Sequence, residues 1–460
     1  MFKVIRAISK LTRINKRYCT CEWQEFEDAN TKIAILPNGV RVATEETCSP
    51  LACISLFVEA GSRFESASIN GITHFIEHMA FKGFGSMSRR QFEQTLLHIG
   101  SKLHVETTRE LQIFTAYCPA ECASNILDIY SKIICDLELN ETCIDKERSI
   151  VCDEMEDADN DPRVLTFDYL HQCAFQGTPL AQRVIGPSCN LARFDKDLIC
   201  SFMLEHYQPY KLCLATCGGV CHENMLSETE RRFGNIVPNP EYMTDEGPCR
   251  FTGSQVVYRN DSMPFAHVAI GFEVPGYGHE DYLPLLLMSC MTGSWCKSQQ
   301  GAMHQGSPLA IAAAHDNCHY FDSFYLHYKD VGLWGVYYVG ERMQLDDMMY
   351  NIQQQWMYMC TMTNARDLER AINLAKLKLC KKAAGVVECS HDIGYQMMYT
   401  CGRRSVANFK YWMTTMEPKI IRNTAYKYLY DKCPAVAAVG PTECLPDYTR
   451  IRAGQYWLRV

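Results

Sequence analysis

The sequence predicts an α+β protein made of two similar α/β domains, one in each half of its 460 residues. Three observations carry that prediction. Strand and helix patterns follow in the same order in both halves. Two pairs of segments, ISLFVEAGSRFES with HVAIGFEVPGYGH and CLATCGGV with VAAVGPTE, hold equivalent places. A polar stretch with prolines, VPNPEYMTDEGP, separates the halves. The expected division is a leader over 1–21, a first domain over 30–235, a linker at 236–250 and a second domain over 251–460.

The leader carries Lys3, Arg6, Lys10, Arg13, Lys16 and Arg17, and the first acidic residue is Glu22. Arg6, Lys10, Arg13 and Arg17 fall on one helical stripe beside Val4, Ile8 and Leu11. A basic, acid-free amphipathic start describes a mitochondrial targeting peptide, so the expected location is the mitochondrial matrix. Next, Ile33 to Thr47 reads as strand, turn and strand around Asn38-Gly39. Ile54 to Glu59 is a third strand, and a helix is expected from Gly71 into the mid-80s. Arg89 to Ile99 is a helix closing at Gly100, and Leu111 to Tyr117 a strand. Helices are expected over Cys122 to Leu139 and Ile144 to Ala158, with a buried strand at Leu212 to Gly218. In the second half, strands are expected at Gln255 to Tyr258, Ala266 to Phe272, Phe324 to Tyr328, Leu333 to Tyr338 and Ala435 to Val439. Its helices are Tyr282 to Thr292, Leu345 to Cys360 and Ala365 to Ala383.

Composition narrows the function classes. With 47% hydrophobic and 21% charged residues the chain reads as an ordinary soluble globular protein. A formal charge of -8 argues against bulk nucleic-acid binding and suits an acidic cavity for basic ligands. No uninterrupted apolar run approaches the ~18 residues of a membrane-spanning helix. The 25 cysteines are odd in number and scattered singly, which points to reduced, mostly structural thiols.

The chemistry-bearing motif is His74-Phe75-Ile76-Glu77-His78. Positions four apart share a helical face, so both imidazoles can reach one ion. Glu77 sits beside them, free to take a proton from a water that zinc acidifies. This HxxEH order is the inverted form of a zinc-peptidase signature. A catalytic zinc needs a third protein ligand, and the candidates lie in Lys146 to Met155. Glu147, Val151 and Glu154 share one face there, so two carboxylates project from the same side, and spacing alone does not choose between them.

GITHFIEHMAFKG, with Glu154 in ERSIVCDEM 76 residues after His78, resembles the pitrilysin/insulinase family of inverted zinc peptidases. LPNGVRVATE, VEAGSRFE, VLTFDYLH, the IGP at Ile185 to Pro187, GLWGVY from Gly332 and AVAAVGPTECLPDY extend the resemblance along nearly the whole chain. It implies one Zn2+ per subunit held by His74, His78 and Glu154, with Glu77 as general base and Glu147 supporting the site. It implies two domains, each a mixed, mostly antiparallel sheet packed with helices, enclosing a cavity. The branch resembled is a catalytic beta subunit working as a heterodimer with an inactive alpha subunit that supplies a glycine-rich loop. Its substrates are basic N-terminal presequences, and peripheral association with the inner membrane fits the same setting.

Two departures fall on substrate contacts. The segment from Leu103 to Glu110 matches the family's substrate-pairing edge strand, with Val105 in place but His104 where the family has asparagine and Glu106 where it has an aromatic residue. Ten residues after Glu154 the family's acidic arginine contact is Val164, whereas Asp168 matches its second acidic contact. Asp157, Asp159 and Asp161 supply carboxylates nearby. The resemblance also leaves two other roles: a non-catalytic core subunit of the respiratory cytochrome bc complex, or a diverged paralogue with altered substrates.

Overall fold

The computed structural model describes residues 31–84, 87–137, 139–243, 247, 249–298 and 307–459. The expected targeting peptide at 1–21 lies outside them. The described chain forms two compact units. The first takes the chain up to Met155, then Gln182–Gly247 and Cys380–Asn408. The second takes Glu156–Ala181, Pro248–Leu379 and the chain from Phe409 on. The change at Gly247 falls inside the linker read from the sequence. Each unit, however, also holds one segment from the other's side of it, which the sequence division at 236–250 does not show.

In the first unit, β1 (Thr31–Ile35) and β2 (Arg41–Glu46) form the expected hairpin, with Gly39 at φ 102 in the turn. With β3 (Leu51–Val58), β4 (Lys102–Thr107), β5 (Gln112–Pro119) and β6 (Leu212–Gly218) they make one mixed sheet in the order β1-β2-β6-β3-β5-β4. Only β2 and β6 run parallel. Alternate residues face opposite sides of the pleat. Ile54, Leu56, Val58, Phe114 and Leu214 join Phe75, Ile76, Ile126 and Tyr130 in one core. Phe57, Ile113, Cys213, Ala215 and Cys217 face the other way, onto Cys389, Ile393 and Met397 of the helix Val386–Thr400. Both faces are therefore covered, which is why β3 is apolar at every position but Ser55.

The second unit repeats the plan. Its strands are β7 (Gln255–Arg259), β8 (Ala266–Pro275), β9 (Ser294–Cys296), β10 (Tyr320–His327), β11 (Val331–Gly340) and β12 (Ala435–Gly440). Their order is β9-β10-β11-β8-β12-β7, and again one pair, β7 with β12, is parallel. Reversed, that order superposes β7, β12, β8, β11 and β10 on β2, β6, β3, β5 and β4. The segment pairs read from the sequence thus fall on β3 with β8 and on β6 with β12. One face packs on Leu170, Cys173 and Ala174 of the helix Pro162–Ala174. On the other, Trp334 and Phe272 meet Trp356, and the Trp334 indole N–H donates to the Leu285 carbonyl at 3.1 Å.

Several boundaries differ from expectation. The helix expected to reach the mid-80s stops at Met79. Gly83 takes φ 119, and Phe84 bridges to Leu137 in extended conformation. The helices Pro162–Ala174, Val386–Thr400, Val406–Thr414 and Pro418–Tyr428 had no counterpart in the sequence reading. No described helix is long and apolar enough to cross a membrane, and no described cysteine is in a disulfide.

Candidate metal centre

The helix α1 (Ile72–Met79), which carries both candidate histidines, is fixed at its first turn by a buried carboxylate. Glu65 accepts from the Gly71 and Thr73 amides and from the Asn70 side chain, all at 2.8 Å. The two backbone donors are otherwise unpaired N–H groups of a helix start. Burial nevertheless pushes the Glu65 carboxyl above its ordinary range, against the pull of these bonds. Gly71, at φ 99, brings the chain so close to Ile185 that a Cβ would lie 2.6 Å from its carbonyl oxygen. Phe75, Ile76 and Met79 are buried and anchor the helix in the core. That sets the rotation of α1 and turns His74 and His78 toward α2 (Glu141–Asn160).

There the two imidazoles meet Glu154. Glu154 Oε2 lies 3.3 Å from His74 Nε2 and 2.9 Å from His78 Nε2, and one ligand atom from each residue falls within 4.8 Å of the others. Three donors on a tetrahedral zinc at bonds of ~2.0–2.2 Å stand ~3.3–3.5 Å apart, so this set needs only small adjustment to close on an ion. Glu147, the other carboxylate on the same face, is buried and stands behind His78: its Oε2 is 3.4 Å from His78 Nδ1 and has no hydrogen-bond partner, while Oε1 pairs with Lys82. A proton on Nδ1 shared with Glu147 would leave the Nε2 lone pair for a metal. The donor set therefore fits zinc.

The electrostatics point the same way. Burial pulls His74 down, but the carboxylates of Glu154 and Glu77 outweigh it and hold the imidazole up at about 9. Glu154 is held below its ordinary range, chiefly by its hydrogen bond to His74. The pocket thus favours positive charge. Glu77 does not join the ligand cluster. Its Oε2 accepts from Thr107 Oγ1 at 2.6 Å and stands 3.7 Å from His74 Nδ1.

The other site residues are spread more widely. β4 is an edge strand, and among the described residues only β5 pairs with it. Val105 is buried in the core shared with α1. His104 is exposed on the opposite face: its register partner Thr115 bonds His391 at 2.7 Å, and His104 and Glu106 both act electrostatically on His391. Val164, 41% exposed, and Asp168 lie one turn apart on Pro162–Ala174, in the second unit. Asp161 caps that helix, accepting from the Arg163 and Val164 amides, so it is not a free carboxylate. Sequence reasoning missed Glu65 and Thr107. Glu65 lay within VEAGSRFE, yet nothing in its spacing marks it as a helix cap. A second set of possible donors, Glu46, Cys221 and Glu223, is exposed and already has its cation, since Lys32 Nζ stands 3.0 Å from Glu46 and 3.5 Å from Glu223.

Comparison with known proteins gives a consistent family. Residues 41–188 match the family model "Insulinase (Peptidase family M16)", and residues 193–375 match "Peptidase M16 inactive domain". Cytochrome b-c1 complex subunit 1 of Bos taurus is 36% identical over 93% of this chain and 90% of its own. The chain belongs to the insulinase peptidase family, M16. The mitochondrial-processing peptidase subunit beta of Bos taurus is another M16 relative, 35% identical over 93% of this chain and 88% of its own. A chain of complex III2 from Candida albicans matches with a TM-score of 0.82, covering 92% of this chain and 99% of that one. At 20% identity that likeness shows the M16 fold alone.

Proposed function

We propose that this chain is a zinc metalloendopeptidase, the catalytic beta-type subunit of a mitochondrial processing peptidase. It would act in the mitochondrial matrix with an alpha subunit, removing basic N-terminal presequences. The observation that carries the reading is the closed set of His74, His78 and Glu154 with Glu147 buried behind it and Glu77 beside it. His74 and Glu147 are buried, and holding an imidazole and a carboxylate out of water around one point is costly unless something charged binds there. A subunit serving only as scaffold gains nothing from that cost.

His74, His78 and Glu154 would hold the zinc, and Glu147 would orient His78. A zinc ion held there supplies Lewis acidity toward water and the scissile carbonyl. Glu77 takes the proton from the attacking water, on the oxygen not bonded to Thr107, and returns it to the departing amine. The open edge of β4 would pair with an extended substrate, whose backbone would end beside Thr107 and Glu77.

The second reading is a core subunit of the cytochrome b-c1 complex, because subunit 1 of that complex resembles this chain at 36% identity. Relatives of the two kinds are equally close, so identity does not separate them. One experiment does. The purified chain, combined with an alpha subunit, is given a presequence-bearing precursor with and without a chelator. Zinc-dependent shortening supports the peptidase. No cleavage by a zinc-loaded heterodimer refutes it, and copurification with an inner-membrane complex would favour the core role.

A further inference from the structure

Glu77 is held by a hydrogen-bond chain that runs back into the core, and its direction can be read from one carbonyl. Gln112, fully buried, places its Nε2 3.0 Å from the Thr73 carbonyl oxygen and 3.2 Å from Thr107 Oγ1. A carbonyl only accepts, so the amide nitrogen, not its oxygen, must face Thr73. The same nitrogen donates to Thr107. The Thr107 hydroxyl accepts that bond on one lone pair, and its single hydrogen goes to Glu77 Oε2 at 2.6 Å, since an ionised carboxylate only accepts. At the far end Gln112 Oε1 accepts from the Tyr207 hydroxyl. Burial pushes that hydroxyl far above the usual phenol range, so it remains a donor.

We propose that Thr107, oriented by Gln112 and Tyr207, is a positioning residue that pins one oxygen of Glu77 and leaves the other to receive the proton. The inference rests on the peptidase reading of this site. Its physical content is geometric. A carboxylate on a flexible stem samples several rotamers, and a single fixed donor selects one of them. Thr107 is also the last residue of the edge strand β4, so the strand that would pair with substrate is the strand that fixes the base.

The test uses the full chain with an alpha subunit and an internally quenched peptide of basic presequence composition. Thr107→Val is expected to lower kcat ~10–100-fold, the range seen when an outer-shell partner is removed. KM should stay within about twofold and zinc stoichiometry should be unchanged. Thr107→Ser, which keeps the hydroxyl, should restore most of kcat, and Tyr207→Phe should give a smaller loss than Thr107→Val. Full kcat in Thr107→Val, or Thr107→Ser no better than Thr107→Val, overturns the proposal. A second readout needs no turnover. Thr107→Val should lower the thermal midpoint more in the wild-type background than in Glu77→Ala, where only the bond from Gln112 remains to be lost. Equal loss in both backgrounds also overturns it. Absence of cleavage by the wild-type heterodimer would count against the peptidase reading, and the thermal cycle would still decide whether Thr107 holds Glu77.

Discussion

The two units share a sheet order, yet the helix that follows the central strand is built differently in each. After β3, α1 packs Phe75, Ile76 and Met79 in the apolar core and turns His74, itself buried, with the partly exposed Glu77 and His78 toward other polar side chains. After β8, the helix Tyr282–Thr292 has no ionisable carboxylate, imidazole or amine, and ten of its eleven residues are buried. A helix enclosed on all sides has no face to spare for ligands. The fold supplies an equivalent place in both units, and chemistry is possible only where packing leaves one stripe of the helix free.

The largest expected effect falls on the proposed third ligand. Glu154→Ala should abolish stoichiometric zinc binding and bring cleavage to background, read by metal analysis of the purified chain. Retained zinc would return the ligand role to Glu147. Glu77→Gln comes next: zinc should stay bound while kcat falls ~10²–10⁴-fold, the usual contribution of a positioned acid–base group. Comparable turnover in that variant would break the assignment of Glu77. The contrasting helix gives the third test. Leu287→Ala, in a fully buried position, should cost ~2–5 kcal/mol in unfolding experiments, with zinc content untouched. Loss of zinc there would mean that the two helices are not as different as their side chains suggest.

The units were also unequally legible in the sequence. The helix Tyr282–Thr292 and the closure of Arg89–Ile99 at Gly100 match the reading residue for residue, because each is bounded by a strong local signal. Pro162–Ala174 was missed although Asp161 and Pro162 mark its start. Its buried residues Thr166, Leu170, Cys173 and Ala174 do share one face, but Val164, Leu165, Phe167 and Tyr169 spread apolar groups around the other sides, so periodicity gave no warning. At the site, i to i+4 spacing on one helix was enough to pair His74 with His78. Proposing Glu154 over Glu147 as ligand needed the family resemblance, because both lie on one face; in the fold Glu154 lies near both imidazoles and Glu147 behind His78. The Thr107–Gln112–Tyr207 chain was out of reach, since it joins residues whose proximity comes only from strand pairing and packing.

The smallest expected effect asks whether buried polarity in the first unit weakens it outside the metal centre as well. His206 closes the helix Lys196–His206, packed on Phe202 at a ring separation of 4.3 Å and 3.4 Å from the buried Lys211 amine. Burial, with Lys211 adding to it, holds its pKa down at about 4 against an ordinary 6.5. A depressed folded pKa means that the unfolded chain takes up the proton first. Stability is therefore whole above pH 6.5 and declines as pH falls from 6.5 toward 4, by roughly 2–3 kcal/mol at the lower end. His206→Gln keeps an acceptor for Lys211 but cannot titrate, so its unfolding free energy should fall less across that window. Parallel pH profiles for the two proteins would remove His206 from the account and place acid sensitivity elsewhere in the fold.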